Sequence, residues 1–279
     1  MAKQTENKST RPEQTRDAIR VVPLYHPRSE GNVVEPQSRK GESELYNKKS
    51  AGGAVSPKLV YGGGSLIQNV NVFTIFWGKN WQSDPNTAAL KDQINQFFSS
   101  ILSSSLMDQL SEYSTEAYKI GHGSLAGTIV ITQGAPAASI EDAAIQKALQ
   151  GWISAKTIPE WKADTLYFIY MDKGVKVEMG GEASCTSFCG YHDAINGETL
   201  YAVMPYPNCT GCLGGLSAFD ALTATSTHEL CEAITDPVPP TGWYDNKNGE
   251  IGDICAWKFK KVNGYNVQLE WSNKASQCQ

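Results

Sequence analysis

The run Ser226-Thr227-His228-Glu229-Leu230-Cys231-Glu232-Ala233-Ile234-Thr235-Asp236-Pro237 constrains this chain more than any other stretch. Before Pro237 it is free of helix breakers, and a proline there forces the helix to stop. Residues four apart on a helix share one face, so His228 and Glu232 can reach a single cation. Glu229 then stands beside that cation, placed to take a proton from a bound water. The pattern is a His-Glu-x-x-Glu variant of the zinc-carrying helix of metallopeptidases. A carboxylate in place of the second histidine is still a sound zinc ligand.

Such a site needs a third protein ligand from beyond the helix and a bend that brings it back. Asp236-Pro237 and Pro239-Pro240-Thr241-Gly242 supply the bend, and residues 243–255 follow with Asp245, Glu250 and Asp253. Asp253 is the first choice for the third ligand. Asp236, Glu250 and His192 are the alternatives, either as ligands or as partners that orient His228. Of the four histidines, His26 falls in a polar leader and His122 in a glycine-flanked loop.

Charge is uneven along the 279 residues, whose formal net charge is −5. Residues 1–50 carry 10 Lys/Arg and 7 Asp/Glu, whereas the remainder carries 14 and 22. A folded part that acidic argues against a nucleic-acid partner and fits a cation site. No apolar run approaches the roughly 18 residues of a membrane span. The first twenty residues are too polar for a secretory leader, so no signal peptide is evident.

Low hydrophobicity marks residues 1–56 as a disordered or leader-like tail, with one domain at 57–279. In that domain, Asn71-Val72-Phe73-Thr74-Ile75-Phe76-Trp77 reads as a buried strand, and residues 127–132 and 165–171 as two more. A fourth is expected at Tyr201-Ala202-Val203-Met204, where Pro205 favours an edge position. Helices are expected from Asp84-Pro85, with apolar residues at the 3.6 period, from Ser139 to about Ala155, and over residues 217–234. Strands alternating with helices give an α/β (α+β) class: a mixed central sheet with packed helices and a zincin-like active-site helix.

All seven cysteines lie beyond residue 184. Cys185-x3-Cys189 and Cys209-x2-Cys212 read equally as a four-thiolate zinc site or as disulfides bracing the approach to the motif helix. Cys255 and Cys278 read as a disulfide over the C-terminal hairpin, leaving Cys231 as a buried, inert thiol. Thiolate zinc suits a reducing cell and disulfides an exported protein.

The run Lys58-Leu59-Val60-Tyr61-Gly62-Gly63 through Phe76-Trp77-Gly78 resembles the opening of the phosphate-induced, Exordium-like proteins. Cys185-x3-Cys189-Gly190-x-His192 and Cys209-x2-Cys212-x-Gly214-Gly215 are similar to elements of that family too. The resemblance covers about residues 58–260. It implies the same fold, disulfides and an extracellular habit, with a cytoplasmic location as the alternative. Plant members are growth-related secreted proteins that commonly lack an intact His-Glu-x-x-Glu. This chain retains it, as do microbial relatives that look like metallopeptidases.

The expected function is therefore hydrolysis of peptide or protein substrates by water activated on Zn2+ or another divalent ion, with Glu229 as general base. An extended substrate would lie along the strand at 201–204. The alternative is a non-catalytic secreted or surface interaction protein with a structural metal. In that reading Trp243, Tyr244 and Trp257 form an exposed surface of the kind that binds carbohydrate.

Overall fold

The computed structural model of the chain describes residues 21–26, 56–136 and 138–279. Six strands form the central sheet: β1 (Val21–Pro23), β2 (Asn71–Trp77), β3 (Ser124–Ile131), β4 (Thr165–Met171), β5 (Phe188–Ile195) and β6 (Thr199–Met204). Their order is β1-β5-β6-β4-β2-β3. Strands β6, β4, β2 and β3 run parallel to one another, while β5 is antiparallel to both β6 and β1. The expected α+β class with a mixed sheet is the observed one.

Every residue of β4 and β6 is buried, as parallel strands covered on both faces must be. Alternate side chains feed two cores. Phe76, Phe168, Tyr170, Ala202 and Met204 face one cluster, and Ile75, Trp77, Tyr167, Ile169, Tyr201 and Val203 the other. Helix α1 (Pro85–Ile101) packs Leu90, Ile94, Phe97, Phe98 and Ile101 into the first. It starts where Asp84 accepts a hydrogen bond from the Asn86 N–H at 2.9 Å, with proline at its first position, a favoured N-terminus. Helix α2 (Asp142–Ser154) packs Ile145 and Leu149 into the second cluster.

Helix α3 (Ala218–Thr235) carries the motif and begins at Ser217, whose hydroxyl accepts from the Asp220 N–H. It is buried all round from Ala221 to Thr235, which requires neighbours on every side. The sheet supplies one side. The other is closed by the return segment and by the hairpin β7 (Phe259–Val262) and β8 (Tyr265–Gln268), whose Gln268 N–H donates to Thr227 Oγ1 at 3.0 Å.

Two expectations are corrected. The strand at 201–204 is not an edge: β6 lies between β5 and β4, paired to both. Pro205 does not demand an edge because it sits just past the last paired residue, Met204. The second correction concerns the segment assigned to a tail. Val21–Pro23 forms β1 of the central sheet, antiparallel to β5, and Val22 is buried. Residues 1–20 and 27–55, the rest of the expected tail, lie outside the described residues.

The cysteines form the disulfides Cys185–Cys209, Cys189–Cys212 and Cys255–Cys278. The first two join β5 and its lead-in to the short helix Thr210–Leu213 that precedes α3. The four-thiolate alternative is thereby excluded, since these sulfurs are bonded to each other. At separations of 23 and 24 residues, each closure stabilises the fold by about 3 kcal/mol. Cys231 is free and buried, as expected. Burial pushes its thiol well up, with the Glu270 carboxyl adding to that.

Candidate metal centre and catalytic carboxylate

The helical period places His228, Glu229 and Glu232 toward one interior site, where each is wholly buried. His228 Nε2 lies 3.0 Å from Glu232 Oε1. Its other ring nitrogen, Nδ1, is 3.1 Å from Gln268 Oε1. The orientation of that amide is fixed, because Gln268 Nε2 donates to the Gly252 carbonyl at 2.9 Å. His228 then carries a proton on Nδ1, and its Nε2 points at Glu232; only when Nε2 gives up its own proton is that lone pair free for a cation. Without that proton the two groups would face each other as acceptors, an arrangement a cation between them would stabilise.

The return segment delivers the acids. Asp253 Oδ2 accepts from the Glu250 N–H at 3.0 Å, and Asp253 Oδ1 lies 3.8 Å from His228 Nε2. The Asp253 N–H donates to Glu232 Oε1 at 3.1 Å. Two glycines permit this close approach. A Cβ on Gly252 would stand 2.8 Å from His228 Nδ1, and one on Gly249 2.1 Å from Asp253 Oδ2. Gly249 also has φ +84, the region that L side chains rarely adopt.

A second set adjoins the first. His192, on β5, places Nε2 3.3 Å from Glu250 Oε1 and 3.7 Å from Glu232 Oε2. Thus His228, Glu232 and Asp253 form one group of donor atoms within 4.8 Å, and His192, Glu232 and Glu250 another. Glu232 belongs to both, through different oxygens. Ligands bound at 2.0–2.2 Å in a tetrahedral shell are roughly 3.3–3.5 Å apart, which is the scale of these separations. The donor set fits a divalent cation.

Electrostatics point the same way. Burial raises the carboxyls of Glu229, Glu250 and Asp253 well above the usual range. The charges acting on them are those of one another, Glu232, Asp236 and His228, with no lysine or arginine among them. Burial pulls the His228 imidazole down, but Glu232, then Glu229 and Asp253, outweigh it and hold it well above its ordinary value. Both Glu250 oxygens and Glu232 Oε2 receive no hydrogen bond from the described residues. Buried carboxylates without donors or counter-charges cost several kcal/mol each. A bound cation removes that cost.

The other expected residues fall outside. Asp236 Oδ1 accepts from the Gly242 N–H at 2.6 Å and so shapes the bend rather than joining either donor group. Asp245 accepts the N–H groups of Lys58, Lys247 and Asn248, an Asx-type turn. His122 pairs with Asp108 on the surface, and His26 is exposed. Trp243, Tyr244 and Trp257 are only half exposed. Trp243 Nε1 donates to the Tyr113 carbonyl and Trp257 Nε1 to that of Pro23, so they do not form the expected open aromatic surface. Gln268 and Gly252 escaped sequence reasoning, since neither belongs to a spacing motif. β1 escaped too, although Val21-Val22-Pro23-Leu24-Tyr25 is an apolar run within polar surroundings.

No family model matches this chain, and no curated protein and no solved structure matches it either.

Proposed function

We propose that this chain is a divalent-cation-dependent hydrolase of peptide bonds. The observation that carries the reading is the cluster of two histidines and four carboxylates, buried except for a half-buried Asp253, with no lysine or arginine among the described residues to neutralise it. His228, Glu232 and Asp253 are the assigned ligands, with His192 and Glu250 as the neighbouring donor pair. The imidazoles favour zinc, while the carboxylate-rich set also suits manganese. The bound ion supplies a polarising charge for a carbonyl and an acidified water.

Within that site neither oxygen of Glu229 has a hydrogen-bond partner among the described residues, and it is the residue between the two helix-borne ligands. It takes the proton of the attacking water and returns it to the leaving amine, and its burial, which raises its pKa, suits a proton carrier. Gln268 fixes the tautomer and direction of His228, and Asp253 is fixed in turn by the Glu250 N–H. The hydrophobic core beneath α3, with Leu230 and Ile234 fully packed, excludes bulk water from the underside of the ligands.

Three disulfides fit an oxidising compartment, and we read the protein as extracellular. Among the described residues no helix is long and apolar enough to cross a membrane. The kinship with Exordium-like proteins stays part of this proposal, carried by the sequence elements alone. The test is Glu229→Gln. The variant is expected to keep its metal and lose hydrolysis of peptide substrates by about 100-fold or more. Equal hydrolysis by variant and parent would remove Glu229 as the base.

A further inference from the structure

Without β1, strand β5 would be the edge of the sheet on its side. An edge strand presents a row of unpaired N–H and C=O groups, a template for any extended chain. This edge lies against the candidate site. β5 carries His192, and Gly190 presses on α3 so closely that a Cβ would meet Thr225 Cγ2 at 2.6 Å, one turn before Glu229. The edge is filled by the chain's own N-terminal segment, in the register Val21↔Tyr191, Val22↔Gly190, Pro23↔Phe188.

The segment is held largely through its main chain. Trp257 Nε1 donates to the Pro23 carbonyl at 2.8 Å, and the Tyr25 N–H to the Gly211 carbonyl at 2.7 Å. β1 also packs against α3, the helix that carries Glu229. The helical turn Asp253–Cys255, which bears a ligand, packs against β1. One side chain is anchored deeply: Val22 is 3% exposed, packed with Cys189 and Cys212. Val21 and Pro23 are half-buried.

We propose that the groove between β5 and the Asp253–Cys255 turn is the substrate-binding groove and that residues 21–25 occupy it as an internal stand-in for substrate. Main-chain pairing with alternate side chains in pockets is the general way an extended peptide is read at a sheet edge. The substrates are then extended peptides with a branched aliphatic residue where Val22 sits. The chain holding β1 in place is self-blocked, because β1 packs against both the motif helix and the turn that bears Asp253. The assignment of this groove to substrate rests on the hydrolase reading. Its occupation by a peptide does not.

The experiment uses the full chain in two altered forms. One is Val22→Asp, which puts a charge into an apolar pocket beside a carboxylate. The other carries a specific protease sequence within residues 27–55 and is nicked there, leaving every groove residue unchanged. In both forms the amides of β5 are expected to lose hydrogen-exchange protection, and hydrolysis of a peptide library to rise about 10- to 100-fold, as loss of one buried aliphatic anchor implies. Adding the peptide Ile19-Arg20-Val21-Val22-Pro23-Leu24-Tyr25-His26 should restore protection and suppress hydrolysis, while the same peptide with Val22→Asp should not. Restored protection with no hydrolysis in any form keeps the groove and overturns the hydrolase reading. If β5 stays protected in the nicked, diluted chain, or the added peptide protects nothing, the proposal is wrong.

Discussion

His228 Nδ1 and Gln268 Oε1 stand 3.1 Å apart, and this contact decides which face of the imidazole is available. The amide comes from β8, forty residues beyond the histidine, and its own Nε2 is tied to the Gly252 carbonyl on the segment that carries Asp253. One side chain thus links the motif helix, the hairpin and the return segment.

Gln268→Ala should therefore weaken metal binding by about 10- to 100-fold while leaving the ligands in place. Isothermal titration with zinc checks it. Affinity equal to that of the parent would mean that the helix alone orients His228.

Gly252→Ala tests the close approach of the return segment. The added carbon would stand 2.8 Å from His228 Nδ1 and 3.0 Å from Glu232 Oε1, so the segment must retreat. A stability loss of about 1–3 kcal/mol by chemical denaturation is expected, together with weaker metal binding. No change in either would show that the segment is not pinned against the helix.

How much of this was legible differs between the helix and its surroundings. His228, Glu229 and Glu232 sit four-residue style on one element, and local spacing alone put them together. Asp253 was reachable because a proline stop and two glycine-broken turns bring it back. Gln268 and His192 arrive through the tertiary packing of β8 and β5, and no local signal fixes that. The edge was misplaced for a similar reason: Pro205 suggested an unpaired strand, whereas pairing of β6 is completed before the proline is reached. β1 has no comparable signal, because its short apolar run Val21–Tyr25 stands alone in a polar stretch. Its partner, the Phe188–Ile195 strand, lay within a cysteine-rich run that read as metal or disulfide chemistry rather than sheet.

Proton linkage gives a signed prediction. Unfolded Asp and Glu titrate near about 4, whereas burial holds Glu229, Glu250 and Asp253 well above that in the folded, metal-free chain. Folding without metal takes up protons, so that contribution is fully present below the unfolded values and is lost as pH rises through the folded ones. Metal-stripped protein should melt at lower temperature as pH rises from 5 to 8. Metal displaces those protons, so zinc affinity should rise over the same range. Opposite slopes in thermal melts with chelator and with zinc check both halves, and parallel slopes would contradict them.

The Cys255–Cys278 disulfide closes onto the helical turn that contains Asp253. Replacing both cysteines by serine should lower metal affinity and stability together, by about 3 kcal/mol for the latter. Asp245→Ala, by contrast, should leave affinity unchanged, because its carboxylate is committed to the N–H groups of Lys58, Lys247 and Asn248. A larger effect from Asp245→Ala than from Asp253→Ala would reverse the ligand assignment.

The central claim is that a divalent cation neutralises the buried cluster at His228, Glu232 and Asp253. Elemental analysis of the purified full chain, beside His228→Ala and Glu229→Gln, tests it most directly. The parent should hold at least one divalent ion per chain, Glu229→Gln the same content, and His228→Ala should lose it. Equal metal content in His228→Ala and the parent, or no bound metal in a parent supplied with zinc, would contradict it.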